Sequence, residues 1–118
     1  MKLIAHRGAS LLRPENSLES LQHAADLGAD AVECDVRLTC DNVPVIFHDP
    51  DLLRLTGRPV RVADATEKDM RKALEQAGRS LLTLPELLAS YTGPADLLLH
   101  LKVSPPPALL KHLKTSSD

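Results

Sequence analysis

Aromatic side chains are almost missing from this chain: there is no tryptophan, and Phe47 and Tyr91 stand alone. Leucine must therefore fill the interior. Cationic excess is missing too. The net charge is −2 at pH 7, which predicts no nucleic-acid surface and no polybasic contact with anionic lipid. With only Cys34 and Cys40, there is neither a disulfide framework nor zinc-type cysteine spacing. The run from Met1 to His6 lacks a signal-peptide hydrophobic region. No apolar stretch approaches the roughly 20 residues that a transmembrane helix requires. A Gly-rich dinucleotide loop, a Ser/His/Asp nucleophile set, internal repeats and low-complexity linkers are likewise not found. These absences leave a soluble protein of a reducing compartment, expected in the cytoplasm.

What is present is concentrated in the first half. His6-Arg7-Gly8, Pro14-Glu15-Asn16, Glu33, Asp35 and His48-Asp49 can hold a metal or move a proton. Three of these groups follow short apolar runs: Leu3-Ile4 before His6, Ala31-Val32 before Glu33, and Val45-Ile46-Phe47 before His48. Polar residues at the ends of several buried strands are how an α/β barrel builds an active site. The pattern predicts strands at Lys2 to Ala5, Ala31 to Leu38, Val43 to Phe47 and Leu97 to Val103. The last is nearly all apolar, as in a strand covered on both faces. Between them, Asn16 with Glu19 opens a helix that Gly28 ends, and Asp64 or Thr66 caps one running through Met70 and Leu74 toward Gly78. Thr83-Leu84-Pro85-Glu86 starts another.

Alternating strands and helices argue for a parallel, barrel-like sheet. A complete TIM-type barrel takes about 250 residues, and this chain has 118. The fold expected is therefore α/β, a partial TIM-type (β/α) barrel of about the first four strands. Residues 1–103 form this half, and 104–118 form a tail with one short helix and frayed final residues. Such a half leaves open sheet edges, which predict self-association or a covering partner.

Glu33 and Asp35 lie two apart on one strand, so both side chains point to one face and Cys34 to the other. Paired carboxylates repel unless a cation offsets them, and oxygen-preferring Mg²⁺ or Ca²⁺ suits them. His6 and His48 are the candidates for proton transfer. If Asp41-Asn42 closes an antiparallel hairpin, His48 falls opposite Asp35; if the connection crosses over, both still lie at strand ends on one side. Asp49 either orients His48 or starts a turn with Pro50. Arg7 offers a planar fork for phosphate or an ion pair to Glu15, and Lys102 adds a point charge near a phosphoryl oxygen.

Taken together, Ala5-His6-Arg7-Gly8-Ala9, Pro14-Glu15-Asn16-Ser17, Gly28 through Val36, Leu38-Thr39, Val43 through Asp49 and Leu53-Arg54-Leu55-Thr56-Gly57 resemble the glycerophosphodiester phosphodiesterase family. The resemblance is strong over residues 2–57 and weaker through Leu82 to Leu88 and Leu99 to Lys102. It implies a barrel enzyme of lipid metabolism that hydrolyses a glycerophosphodiester to an alcohol and glycerol 3-phosphate with a divalent ion, the small-molecule substrate being a glycerophosphodiester or a lysophospholipid. By matching position, Glu33 and Asp35 would be metal ligands, with Glu15 a further ligand or a neighbour of Arg7. His6 and His48 would be the acid/base pair, and Arg7 and Lys102 phosphate contacts. The family's Glu-x-Lys on the fourth strand is His100-Leu101-Lys102 here, so an imidazole stands at a glutamate ligand's position. Two alternatives accompany this reading: a non-catalytic half-barrel remnant that binds a partner or itself, and a related phospholipase of C or D type.

Overall fold

A computed structural model describes residues 4–6, 17–92 and 95–102, of which Ala5 and His6 are described through their backbone. The expected tail from residue 104, together with Arg7, Glu15 and Asn16, lies outside the described residues.

The sheet is organised around β2, Ala31–Leu38, which runs as expected to the residue. β1, Ile4–His6, pairs parallel with its first half, Ile4 beside Ala31 and His6 beside Glu33. β4, Asp96–Leu101, pairs parallel along the other edge, from Ala31 beside Asp96 to Val36 beside Leu101. The parallel order is thus β1-β2-β4, the arrangement of a (β/α) barrel wall. β3, Pro44–Ile46, is the exception: it folds back antiparallel on Val36, Arg37 and Leu38. The four expected strands are present, three as barrel wall and one as a hairpin arm beyond the end of β1.

Alternation along β2 fixes which face is covered. Val32, Cys34 and Val36 are fully buried. They pack with Leu21, Ala24 and Ala25 of α1, Leu18–Asp26, and with Leu84 and Leu87 of α4, Leu84–Ser90. Each such aliphatic side chain contributes about 1.5–3 kcal/mol when fully buried. A second cluster lies beyond β3. Val45 and Phe47 point into it, against Leu52, Val62 and the Met70, Ala73 and Leu74 of α3, Glu67–Gln76. Ile46, one residue out of phase, belongs to the first cluster. The hairpin arm therefore joins two cores by the period-two rule.

Helix ends follow local chemistry. Thr83 accepts from the Glu86 N–H at 3.3 Å while Glu86 accepts from the Thr83 N–H at 2.9 Å, a reciprocal capping box with Pro85 in the first turn. Thr66, not Asp64, caps α3 by accepting from the Asp69 N–H at 3.1 Å. Ser17, rather than Asn16, caps α1 through the Ser20 N–H at 3.1 Å. Gly28 takes φ +98°, the left-handed stop expected after that helix. A short helix α2, Leu53–Thr56, and a 3₁₀ turn, Val62–Asp64, add elements that too few periodic residues announced.

β4 departs from expectation. Leu97, Leu99 and Leu101 pack on the first cluster, but Leu98 is 42 % exposed. Its uniform leucine composition signalled burial on both faces, yet among the described residues only one face has a covering layer.

Candidate metal and acid-base site

The face of β2 opposite the helices carries Glu33 and Asp35, and the β4 register sets His100 beside Asp35. The ligand atoms of Glu33, Asp35 and His100 all lie within 4.8 Å of one another. Asp35 is buried, 1 % exposed, and among the described residues its neighbours include His100 Nδ1 at 3.6 Å and Lys102 Nζ at 3.7 Å from its Oδ1. A buried carboxylate needs such a counter-charge. Lys102 provides it where an ion would, because the backbone of Lys102 donates to the Val36 carbonyl at 2.9 Å and holds the residue at the end of β2. The donor set found among the described residues, two carboxylates and an imidazole, fits a divalent cation.

On the opposite face Cys34 is buried, and burial, with Asp35 and Glu33 adding repulsion, pushes its thiol up to about 12. It is neither a nucleophile nor a ligand at neutral pH. Both cysteines are free, Cys40 on the surface.

His48 lies just past β3. The hairpin is antiparallel, but its register is one residue from the expected one. Thr39 donates from its backbone to the Val43 carbonyl at 3.1 Å, and Asn42 adopts φ +61°. The loop thus has three residues, Cys40-Asp41-Asn42, instead of a two-residue turn, and Asn is a residue type that tolerates the left-handed conformation. As a result Phe47, not His48, stands opposite Asp35, with its N–H on the Asp35 carbonyl at 2.9 Å. His48 follows immediately, beside the middle of β2.

A chain of polar contacts fixes His48. Its carbonyl accepts from Arg37 Nε at 2.8 Å. Its Nδ1 faces Asp49 Oδ1 at 2.8 Å. Arg54 then grips that carboxylate with both arms, Nε on Oδ2 at 2.8 Å and Nη2 on Oδ1 at 3.1 Å. The Arg54 hydrogen bond, reinforced by His48, outweighs partial burial and holds the Asp49 carboxyl down at about 2. Asp49, ionised at neutral pH, accepts from Nδ1–H, which leaves Nε2 free to exchange a proton. Asp49 contacts the His48 ring, and the backbone also bends at Asp49 and Pro50. The sequence pattern alone does not single out Arg54 or Arg37 as contributors. Only the five-residue spacing from Asp49 to Arg54 hinted at the former, and nothing local hinted at the latter.

His6 ends β1 with its Cα beside that of Glu33. Glu33, Asp35, His100, Lys102 and the backbone of His6 thus gather along β2, with His48 just past the end of β3 and beside the middle of β2. Arg7 and Glu15, expected at the same place, fall outside the described residues.

Residues 6–113 match the sequence model of the Glycerophosphoryl diester phosphodiesterase family. Glycerophosphodiester phosphodiesterase 1 of Rattus norvegicus is 42 % identical over 78 residues, covering 66 % of this chain and 24 % of the rat protein. The crystal structure of a glycerophosphodiester phosphodiesterase from Thermotoga maritima superposes with a TM-score of 0.77 at 33 % identity, over 87 % of this chain and 45 % of that one. A phosphodiesterase of Oleispira antarctica, solved in complex with the product sn-glycerol-3-phosphate, gives a TM-score of 0.72 at 31 % identity, over 99 % of this chain and 50 % of that one. The chain therefore spans about a quarter of the rat relative's length and about half of the two solved structures.

Proposed function

Because this chain belongs to the glycerophosphoryl diester phosphodiesterase family, we propose that it carries the metal and acid-base side of a site that hydrolyses glycerophosphodiesters to an alcohol and glycerol 3-phosphate. The observation that carries the reading is the grouping of Glu33, Asp35 and His100 donor atoms within 4.8 Å, with His48 next along the chain from Phe47, whose N–H bonds to the Asp35 carbonyl. Glu33 and Asp35 would hold the ion, with His100 and Glu15 as further ligands. Mg²⁺ or Ca²⁺ is what the carboxylate pair alone suggests. A divalent ion there supplies Lewis-acid polarisation and neutralises charge on phosphoryl oxygens.

The chain's own residues do the rest. Lys102 and Arg7 bind the phosphate, the first as a point charge and the second as a bidentate fork. His48, with Nδ1 committed to Asp49, exchanges a proton through Nε2, and His6 serves as its opposite number in general acid-base catalysis. A glycerophosphodiester or lysophospholipid of small size is the substrate class. Two free thiols suit a reducing, cytoplasmic setting.

Incubating the full chain with glycerophosphocholine and a divalent salt, and assaying glycerol 3-phosphate, tests the proposal. Turnover that falls about 10²–10⁴-fold in His48→Ala is the expected outcome. Turnover indifferent to His48 would reject it. A panel adding intact phospholipids separates this activity from a phospholipase C or D type.

A second reading, a non-catalytic half-barrel that associates with itself or a partner, draws on the exposure of Ile4 and Leu98, 42 % each. Sedimentation decides it: a monomer that turns over substrate removes this alternative.

A further inference from the structure

We propose that His100 makes this a site for a borderline transition ion of the Zn²⁺ class, in preference to Mg²⁺ or Ca²⁺. The proposal rests on the metal-site reading above and specifies its ion. Three observations support it. The donors among the described residues are mixed, two carboxylates and one imidazole with ligand atoms mutually within 4.8 Å. Ions with bonds of about 2.0–2.2 Å hold their ligand atoms roughly 3–4 Å apart, so small side-chain rotations close the set. His100 is fixed in register beside Asp35 on a paired strand, with Nδ1 3.6 Å from the carboxylate, while its side chain is 54 % exposed and has room to turn. Imidazole is a favoured ligand of zinc-class ions and a poor one for Mg²⁺ and Ca²⁺, which require oxygen.

Charge points the same way. Among the described residues, Glu33 and Asp35 supply two negative charges, and a neutral imidazole adds none. Lys102 Nζ, 3.7 Å from Asp35 Oδ1, already offsets part of that charge. Hard ions are bound mainly by accumulated negative oxygen, so a site of low net charge penalises them more than it penalises an ion that gains covalency from nitrogen.

The test is comparative, because any mixed site binds Zn²⁺ more tightly than Mg²⁺ to some degree. The full chain carrying Cys40→Ser, which removes the exposed thiol as a competitor, is titrated with Zn²⁺, Co²⁺ and Mg²⁺. Calorimetry reads affinity, the visible Co²⁺ band reads ligand field, and the assigned imidazole resonances of His100 read ligation. The same titrations are run on His100→Glu and His100→Gln, each accepted only if its amide spectrum is that of a folded chain. The expected result is a Zn²⁺/Mg²⁺ affinity ratio at least about tenfold larger with His100 than with Glu at that position, with the His100 resonances shifted by stoichiometric Zn²⁺. The Gln variant should lose Zn²⁺ affinity without gaining Mg²⁺ affinity. An unchanged ratio, or Zn²⁺ binding that leaves His100 unmoved, overturns the proposal and leaves the hydrolytic reading standing. Failure to bind any divalent ion sinks both. Zn²⁺ held through His100 without turnover supports this inference and counts against the hydrolytic one.

Discussion

The two faces of β2 receive opposite treatment from the same eight residues. Val32, Cys34 and Val36 are sealed beneath α1 and α4, with no exposure at all. Glu33 and Asp35 face the other way, into a side that also carries the exposed Ile4 and Leu98 and the half-open His100. One face is specified by area removed from water; the other is specified by which donor atoms meet. In a closed barrel that second face would be the interior, filled by side chains from every strand. The difference teaches that stability and chemistry are separable here, because adjacent residues of one strand contribute to one or the other and not to both.

Substitutions on the two faces should therefore fail in different assays. The largest expected effect is on the covered side: Leu84→Ala, at a fully buried position, should lower unfolding free energy by about 2–5 kcal/mol in urea titration. Metal affinity would survive in whatever fraction stays folded. On the other side, Asp35→Asn should weaken divalent binding by more than about 100-fold in calorimetry, with the chain still folded. A comparable loss of fold and of ion binding in either variant would break the separation.

Acid pH sharpens the comparison at smaller scale. Asp49 is held at about 2 in the folded chain against an ordinary value of 3.8. A depressed folded value means that its stabilisation is complete above about pH 4 and is lost as pH falls through about 2. Because Arg54 is half exposed, solvent screening reduces the contribution to about 1 kcal/mol. Arg54→Gln should erase that increment at neutral pH and flatten the acid limb of stability between about pH 4 and 2, which urea titration at stepped pH would detect. An unaltered acid limb would mean that Arg54 does not hold the carboxylate. The smallest effect is predicted for Leu98→Ser: within about 0.5 kcal/mol of the parent. A loss like that of Leu84→Ala would reveal that something covers the open face.

Most of the covered face could be read from the sequence. Alternation made β2 legible from Ala31 to Leu38, and Thr83 with Glu86 announced its helix because a capping box is local chemistry. What escaped was set by tertiary context. Leu98 has the composition of a buried residue, and only the layer above it decides whether it is one. The hairpin register turned on Asn42 accepting φ +61°, a single backbone choice that moved Phe47 into the place expected for His48. The carboxylate pair was legible because two-residue spacing fixes a shared face. The His48–Asp49–Arg54 chain was only half legible, since the arm of Arg54 reaches back from a four-residue helix that periodicity cannot register.

Paramagnetic broadening by sub-stoichiometric Mn²⁺, followed over the amide spectrum of the intact chain, tests most directly whether one cation site occupies the open face. The amides of Glu33, Asp35, His100 and His48 should broaden first, while those of α3 stay sharp. Broadening centred instead on Asp41 and Glu67, or spread evenly over exposed acids, would contradict it.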